Sequence, residues 1–259
     1  MEILRKNYVN TSTQLVVNSN TFTAANVFIP DTRFQYASDG MANDATTVTM
    51  RINFIETLTV DRIALVGHNL KKFSIYYGGV TANAFALTTT GDTISSSYIT
   101  NSSTSHYLRC APVACTSVSI DMYSTIDANN NKYLGYLVIS EKRTNFDGRV
   151  PSAQNYNPVF EPHAVVHQLS DGGTRIQTLE DKWKVQLGFD FITSTARDEL
   201  KAIFDDHDEM VFVPFGTTTG WDAVIFPCVW AGGFGFFKFS DNASEAGFSG
   251  TLTLLETPQ

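Results

Sequence analysis

Polar and apolar residues alternate with a period of two along much of this chain. In TTVTMRINF, Thr46 to Phe54, one side carries Val48, Met50, Ile52 and Phe54 and the other Thr47, Thr49, Arg51 and Asn53. That spacing predicts a strand buried on one face. SVSIDMY, Ser117 to Tyr123, repeats the pattern with Val118, Ile120 and Met122. RIALVG, from Arg62, is a continuous apolar run and predicts a separate strand buried on both faces. FSIYYGG and YLGYLVIS add two more strands, and turn-rich segments such as TTTGDTISSS and IDANNNKY fall between them. No helical period stands out here. Short strands at regular spacing predict a β-sandwich over residues 1–142.

The texture changes over 143–162. RTNFDGRVPSAQNYNPVFEP holds Pro151, Pro158 and Pro162 and no periodicity, which predicts a linker or extended arm. Phe146, Tyr156 and Phe160 imply that it docks on something. A second domain is predicted over 163–259. DKWKVQLGFDFI places Trp183, Val185, Leu187, Phe189 and Phe191 on one face against Lys184, Gln186, Gly188 and Asp190. A helix follows in TSTARDELKAIFDDH, capped by Thr193, Ser194 or Thr195, with Asp198 and Glu199 in its first turn and Ala196, Leu200, Ile203 and Phe204 as its apolar stripe. EMVFVPF, AVIFPCVW, GFGFFKF and SGTLTLLE are strands again. Strand, helix, then several strands predicts an α+β domain or a helix-decorated β-barrel. The fold class is therefore mainly β.

Composition narrows the functional classes. Of 259 residues, 43% are hydrophobic, enough to fill real cores, and only 17% are charged; Asn, Ser and Thr fill the difference. The formal net charge of -8 opposes general phosphate binding, and no basic run offers a nucleic-acid footprint. No apolar stretch approaches the roughly 20 residues that span a bilayer, and MEILRKNYVN lacks the core of a signal peptide, so a soluble protein made in a cytoplasm is expected. Without secretion, the Asn-x-Ser/Thr triplets at Asn10, Asn101 and Asn242 carry no weight. Cys110, Cys115 and Cys228 are an odd count with no metal or redox spacing, and they are expected to be buried free thiols.

Each stretch with chemical potential has a simpler alternative. His68, in the GHN corner between RIALVG and FSIYYGG, has only Asp61 nearby in sequence; a catalytic histidine needs a nucleophile and an orienting carboxylate, so a structural corner is the better reading. DANNNKYLG opens like a calcium loop with Asp127, Asn129 and Asn131, but Lys132 stands where that loop needs Gly and Val138 where it needs Glu, which favours a turn. DDHDE, Asp205 to Glu209, clusters four acids around His207 and reads as a solvated helix end rather than a metal site. Asp171-Gly172-Gly173 reads as a hairpin turn, since no helix follows to hold a phosphate. WAGGFGFFKF reads as a packed strand, with Phe234 and Phe236 opposite Phe237 and Phe239. No set of catalytic, cofactor-binding or metal-ligating residues emerges, and no enzyme is expected.

Two stretches carry a family resemblance. VDRIALVGHNLKKFSIYYGG and KYLGYLVISEK resemble the strand–corner–strand and a late strand of the discoidin-like, galactose-binding-like jelly roll in virion proteins of tailed bacteriophages. HQLSDGGTRI and DKWKVQLGFDFITSTARDELKAIFDDHDEMVFVPF resemble the tail-tube-like domain of distal tail and minor tail proteins, with Asp171-Gly172-Gly173, Trp183 to Phe191, Thr195 to Phe204 and Val211 to Phe215 filling the pattern. The order departs from the simplest distal-tail arrangement, because here the sandwich leads. The resemblance implies a structural virion protein of a phage tail tip, assembled in the host cytoplasm. It would form a homo-oligomeric ring around the DNA channel and connect tube to tip, with tube, hub and tape-measure proteins as partners, no cofactor and no sequence-specific nucleic-acid contact. A host-glycan-binding adhesin is the alternative, with Tyr36, Tyr76, Tyr77 and Tyr98 as candidate sugar-stacking residues, although a place in the core is the better reading for each.

Overall fold

The computed structural model describes residues 1–31, 33–40, 42–81, 83–89, 92–94, 98–99, 103–145, 156–168, 173–214, 225–238 and 247–257. The fold is mainly β. The chain divides into two compact units: a sandwich unit of residues 4–143 with 215–225, and a helix-bearing unit of 1–3, 144–214 and 226–259.

Strands β1 (Glu2–Arg5), β2 (Gln14–Val17), β3 (Tyr36–Ala37), β4 (Val48–His68), β5 (Leu70–Tyr77), β6 (Leu87–Thr89), β7 (Asp92–Ile94), β8 (Tyr98–Ile99), β9 (His106–Thr125), β10 (Tyr133–Ser140) and β11 (Lys142–Asn145) come first, with a 3-10 helix at Thr21–Phe28 that no sequence period announced. The sandwich sheet runs β3-β10-β4-β9-β5-β8, with β2 alongside β4 and β6 alongside β9. TTVTMRINF and RIALVG prove to be one strand, β4, of 21 residues. Its first half pairs Val48–Asn53 with Met122–Ser117 of β9, and its second half pairs Leu58–Leu65 with Cys115–His106. Between Asn53 and Leu58 lie residues 54–57, opposite residue 116 alone in β9. This bulge bends the strand, so each half can serve one layer of the sandwich. Val48, Met50, Ile52, Ile63, Leu65, Phe73, Ile75, Leu137 and Ile139 then share a single core cluster. As the apolar run implies, Ile63, Ala64, Leu65 and Val66 are all buried.

The helix-bearing unit contains β12 (Tyr156–Gln168), β13 (Thr174–Ile192), α1 (Ser194–Asp206), β14 (Met210–Val213), β15 (Phe226–Ala231), β16 (Phe237–Lys238) and β17 (Phe248–Glu256). Its sheet runs β11-β1-β14-β15-β17-β13-β12, with β16 beside β17; the described strands close no barrel. Two boundaries differ from those read in the sequence, and so does one placement within the helix. Met1–Ile3 belong to this unit rather than to the sandwich. Residues 156–162, taken as linker, form the first half of β12 and pair with β13 from Tyr156↔Leu187 to Pro162↔Asp181. Their prolines hid this, because Pro is excluded from a central strand but tolerated at an edge. In addition, α1 starts at Ser194, so Asp198 and Glu199 sit one turn further in than a dipole-stabilising position requires. The cap itself is Thr193, whose hydroxyl accepts the Ala196 N–H at 3.3 Å, and Leu200 and Ile203 are buried.

Alternation in β13 holds through Val185, Leu187 and Phe189 and then shifts. A bulge between Phe189 and Ile192 turns Ile192 inward and leaves Phe191 exposed. At the outer side of β12, Phe160 faces Trp183, whose N–H points the other way and donates to the Glu256 carboxylate at 2.7 Å. Positions 158, 160 and 162 therefore aim their own backbone groups at the open edge. Pro158 and Pro162 have no N–H to offer there, which blunts the edge against strand addition.

Candidate functional site

His68 closes β4, and its Nδ1 accepts the Leu70 N–H at 3.0 Å. Its Nε2 therefore carries the proton and donates to Nδ1 of His106 at 2.7 Å. The ring planes are 17° apart with centroids at 4.9 Å, so with so short an N–N separation the rings meet edge to edge rather than face to face. The Phe73 ring stands edge-on to both imidazoles. Burial lowers the pKa of His68 to about 3, helped by His106, and that of His106 to about 4. Both are neutral at pH 7. Asp61 plays no part in the pair: its carboxylate lies against Arg62 and accepts the Lys142 N–H. The corner the two histidines fasten is tied down by Asn69, which donates to Asn131 O and accepts the Tyr133 N–H.

The calcium-like stretch is a turn. Thr125 Oγ1 donates to Asp127 O and accepts the Asn130 N–H, and Asn129 adopts φ 59°. The Lys132 ammonium donates to Asn43 O at 3.0 Å, so a cationic side chain occupies the space among these loops. Burial pushes its pKa down, while the Asp44 carboxylate pulls it back. In DDHDE, His207 is the left-handed C-cap of α1 with φ 55°, Asp205 pairs with Lys201, and Glu209 accepts from Thr257. No group of three or more potential metal ligands occurs among the described residues. Asp171 and Gly172 lie outside the described residues; the strands they join pair as far as Gln168↔Thr174. In WAGGFGFFKF, Trp230 and Ala231 end β15 and Phe237–Lys238 form β16, Phe236 is buried and Phe237 is exposed; Phe239 lies outside the described residues. Cys110, Cys115 and Cys228 are free thiols.

Of the tyrosines considered for sugar stacking, two are buried and a third is half-buried. Tyr36 is fully buried and donates to Ser19 O, Tyr76 is buried and donates to Asp121, and Tyr77 packs edge-on against Phe85. Tyr98 falls in β8, where only the backbone is described.

What sequence reasoning missed is a cleft of about 230 Å³ in the sandwich unit, lined by Lys6, Tyr8, Asn10, Thr13, Phe54 and Glu56 among others. One wall is the β4 bulge, which supplies Phe54, exposed Ile55 and Glu56. The opposite wall is the connection from β1 to β2, and it is held rigidly. Buried Asn7 donates to Leu137 O at 2.9 Å and accepts the N–H groups of Val9 and Ile139. Thr13 Oγ1 donates to Tyr8 O and Asn10 O and accepts the Asn10 N–H. Tyr8 packs edge-on against Phe54 at 6.0 Å, and burial together with nearby Glu141 pushes its hydroxyl up to about 12. The cleft thus has an aromatic floor and a polar rim. Its only sequence signal was the cluster of Asn, Ser and Thr in NYVNTST, since a bulge leaves no periodic mark.

No family model matches this sequence, and no curated protein does. Among solved structures, the family 32 carbohydrate-binding module of C. perfringens NanJ, determined with galactose, is 11% identical over 53% of this chain and all of its own length, with a TM-score of 0.41. Chitosan-binding module 1 from a chitosanase/glucanase of Paenibacillus sp. IK-5 is 12% identical over 52% of this chain and 98% of its own, with a TM-score of 0.39. A pectin-binding carbohydrate-binding module is 19% identical over 49% of this chain and 88% of its own, with a TM-score of 0.35. Likenesses this distant do not establish what this chain binds. No described helix is long and apolar enough to cross a membrane, which says nothing of strands.

Proposed function

We propose that this chain is a non-enzymatic, saccharide-binding protein of a tailed-phage tail, taking host-surface glycan in the cleft of its sandwich unit. The observation that carries the binding half is the cleft itself, with a bulge on one side, a hydrogen-bonded loop on the other and polar groups ringing aromatic ones. Bulges recur beside binding sites because they re-aim side chains that regular pleating would turn inward. The tail setting, with assembly in the host cytoplasm, is supported by the resemblance of the two sequence stretches above. The test is an array of bacterial surface polysaccharides probed with the whole chain. Retention by at least one host glycan is the expected result, and silence across the array removes the reading.

A second reading, self-assembly into a ring that joins tube to tip, is favoured by exposed Phe160, Phe191 and Phe237 on the helix-bearing unit. The proline-blunted edge of β12 means that such contacts would use side-chain faces there rather than an added strand. Sedimentation of the chain at rising concentration tests it; a monomer throughout rejects it.

A further inference from the structure

The saccharide reading leaves open which sugar the cleft takes, and the inference here rests on that reading. The geometry points to a single neutral pyranose ring, gripped through adjacent hydroxyls between Lys6 and Glu56. Both residues line the cleft and are exposed, and among the described residues neither side chain has a hydrogen bond or ion pair. Exposed opposite charges that share a cleft without pairing leave one strong donor group and one strong acceptor group available. Each is more effective toward a hydroxyl than a neutral group would be. A sugar diol matches this division, because one hydroxyl donates to the Glu56 carboxylate while its neighbour accepts from the Lys6 ammonium. One cation and one anion cancel, so the cleft gains nothing from a charged ring: an acidic sugar meets Glu56, and an amino sugar meets Lys6.

Shape and polarity agree. Ile55 stands 85% exposed on the bulge and, with Phe54 and Leu58, presents an apolar ledge for the C–H face of a pyranose. A volume of about 230 Å³ falls below the range of roughly 300–1,000 Å³ that holds drug-sized ligands, which suits one ring rather than a chain. The rim also arrives pre-ordered, since Asn10 and Thr13 are fixed by bonds within their own loop. Little ordering therefore remains to be imposed on binding.

The test uses the whole chain, with saturation-transfer NMR and calorimetric titration of methyl glucoside, methyl galactoside, methyl mannoside, glucosamine and glucuronate. At least one neutral methyl glycoside is expected to bind more tightly than either charged sugar. Glu56→Gln and Lys6→Met should each weaken that binding tenfold or more without moving the thermal transition, because both side chains are exposed. Neutral-sugar binding that survives both substitutions would place the sugar elsewhere and overturn this assignment while the saccharide reading stands. Preference for glucosamine or glucuronate would overturn the proposed ligand class. Failure of every sugar, with the polysaccharide array also silent, would remove the saccharide reading and this inference together.

Discussion

Acidification from pH 7.5 to pH 5 should weaken the sandwich unit through its paired imidazoles. His68 and His106 are 2% and 4% exposed, and both have folded-state pKa values far below the ordinary 6.5, at about 3 and about 4. A depressed pKa in the folded state means that stability is fully present above 6.5 and is lost as the pH falls toward the folded values. Each proton taken up by the unfolded chain alone costs the folded state about 1.4 kcal/mol per pH unit. Between 6.5 and 5 that is about 2 kcal/mol per histidine and about 4 kcal/mol for the pair, a large share of the roughly 5–15 kcal/mol that stabilises a typical domain. The carboxylates of the unfolded chain titrate near 4, so this window reports mainly on histidine. Urea unfolding at pH 7.5, 6 and 5, followed by circular dichroism, measures the loss. His106→Gln removes one titrating ring and leaves an amide oxygen to accept from His68 Nε2, so the loss should fall by about half. A stability that stays flat to pH 5, or a slope unchanged in the variant, would refute the reasoning.

Burial holds the thiols of Cys110 and Cys115 up near 12 and 11, and raises that of Cys228 as well. At pH 8 the native chain should therefore react slowly with an aromatic disulfide reagent and release three equivalents of thiol at once after denaturation. A Cβ placed on Gly250 would lie 2.5 Å from Gly235 O and 2.8 Å from Phe236. Gly250→Ala should lower stability by about 1–3 kcal/mol, read as a reduced urea midpoint, because the obstruction is partly backbone. Thr193→Ala removes the cap of α1 and should cost about 1 kcal/mol in the same assay.

Where burial imposes a period, the sequence was readable. Val48, Met50 and Ile52, the run Ile63 to Val66, the stretch Val185 to Phe189, and the cap and stripe of α1 all stand as their spacing implies. Periodicity fails at irregularities, and these shape the molecule. The bulge at 54–57 merges two anticipated strands into one and builds the cleft wall, and the bulge after Phe189 reverses the expected facing of Phe191. Pairing between distant residues was equally hidden. His106 lies 38 positions from His68, and no local feature ties them. The two prolines of β12 mark an edge, but to a reader of local pattern they resemble an interruption.

Strand β1 lies between β11 and β14 in sheet order, although it is the first strand of the chain and β14 begins at Met210. During synthesis those opening residues must wait until about two hundred more have been translated before that neighbour exists, and so distant a closure is slow. A fragment starting near residue 143 would lack an interior strand of its own sheet, leaving β11 and β14 each without their neighbour. Cutting at the apparent linker would thus create two exposed edges prone to aggregation, so the chain cannot be split there into two self-sufficient halves.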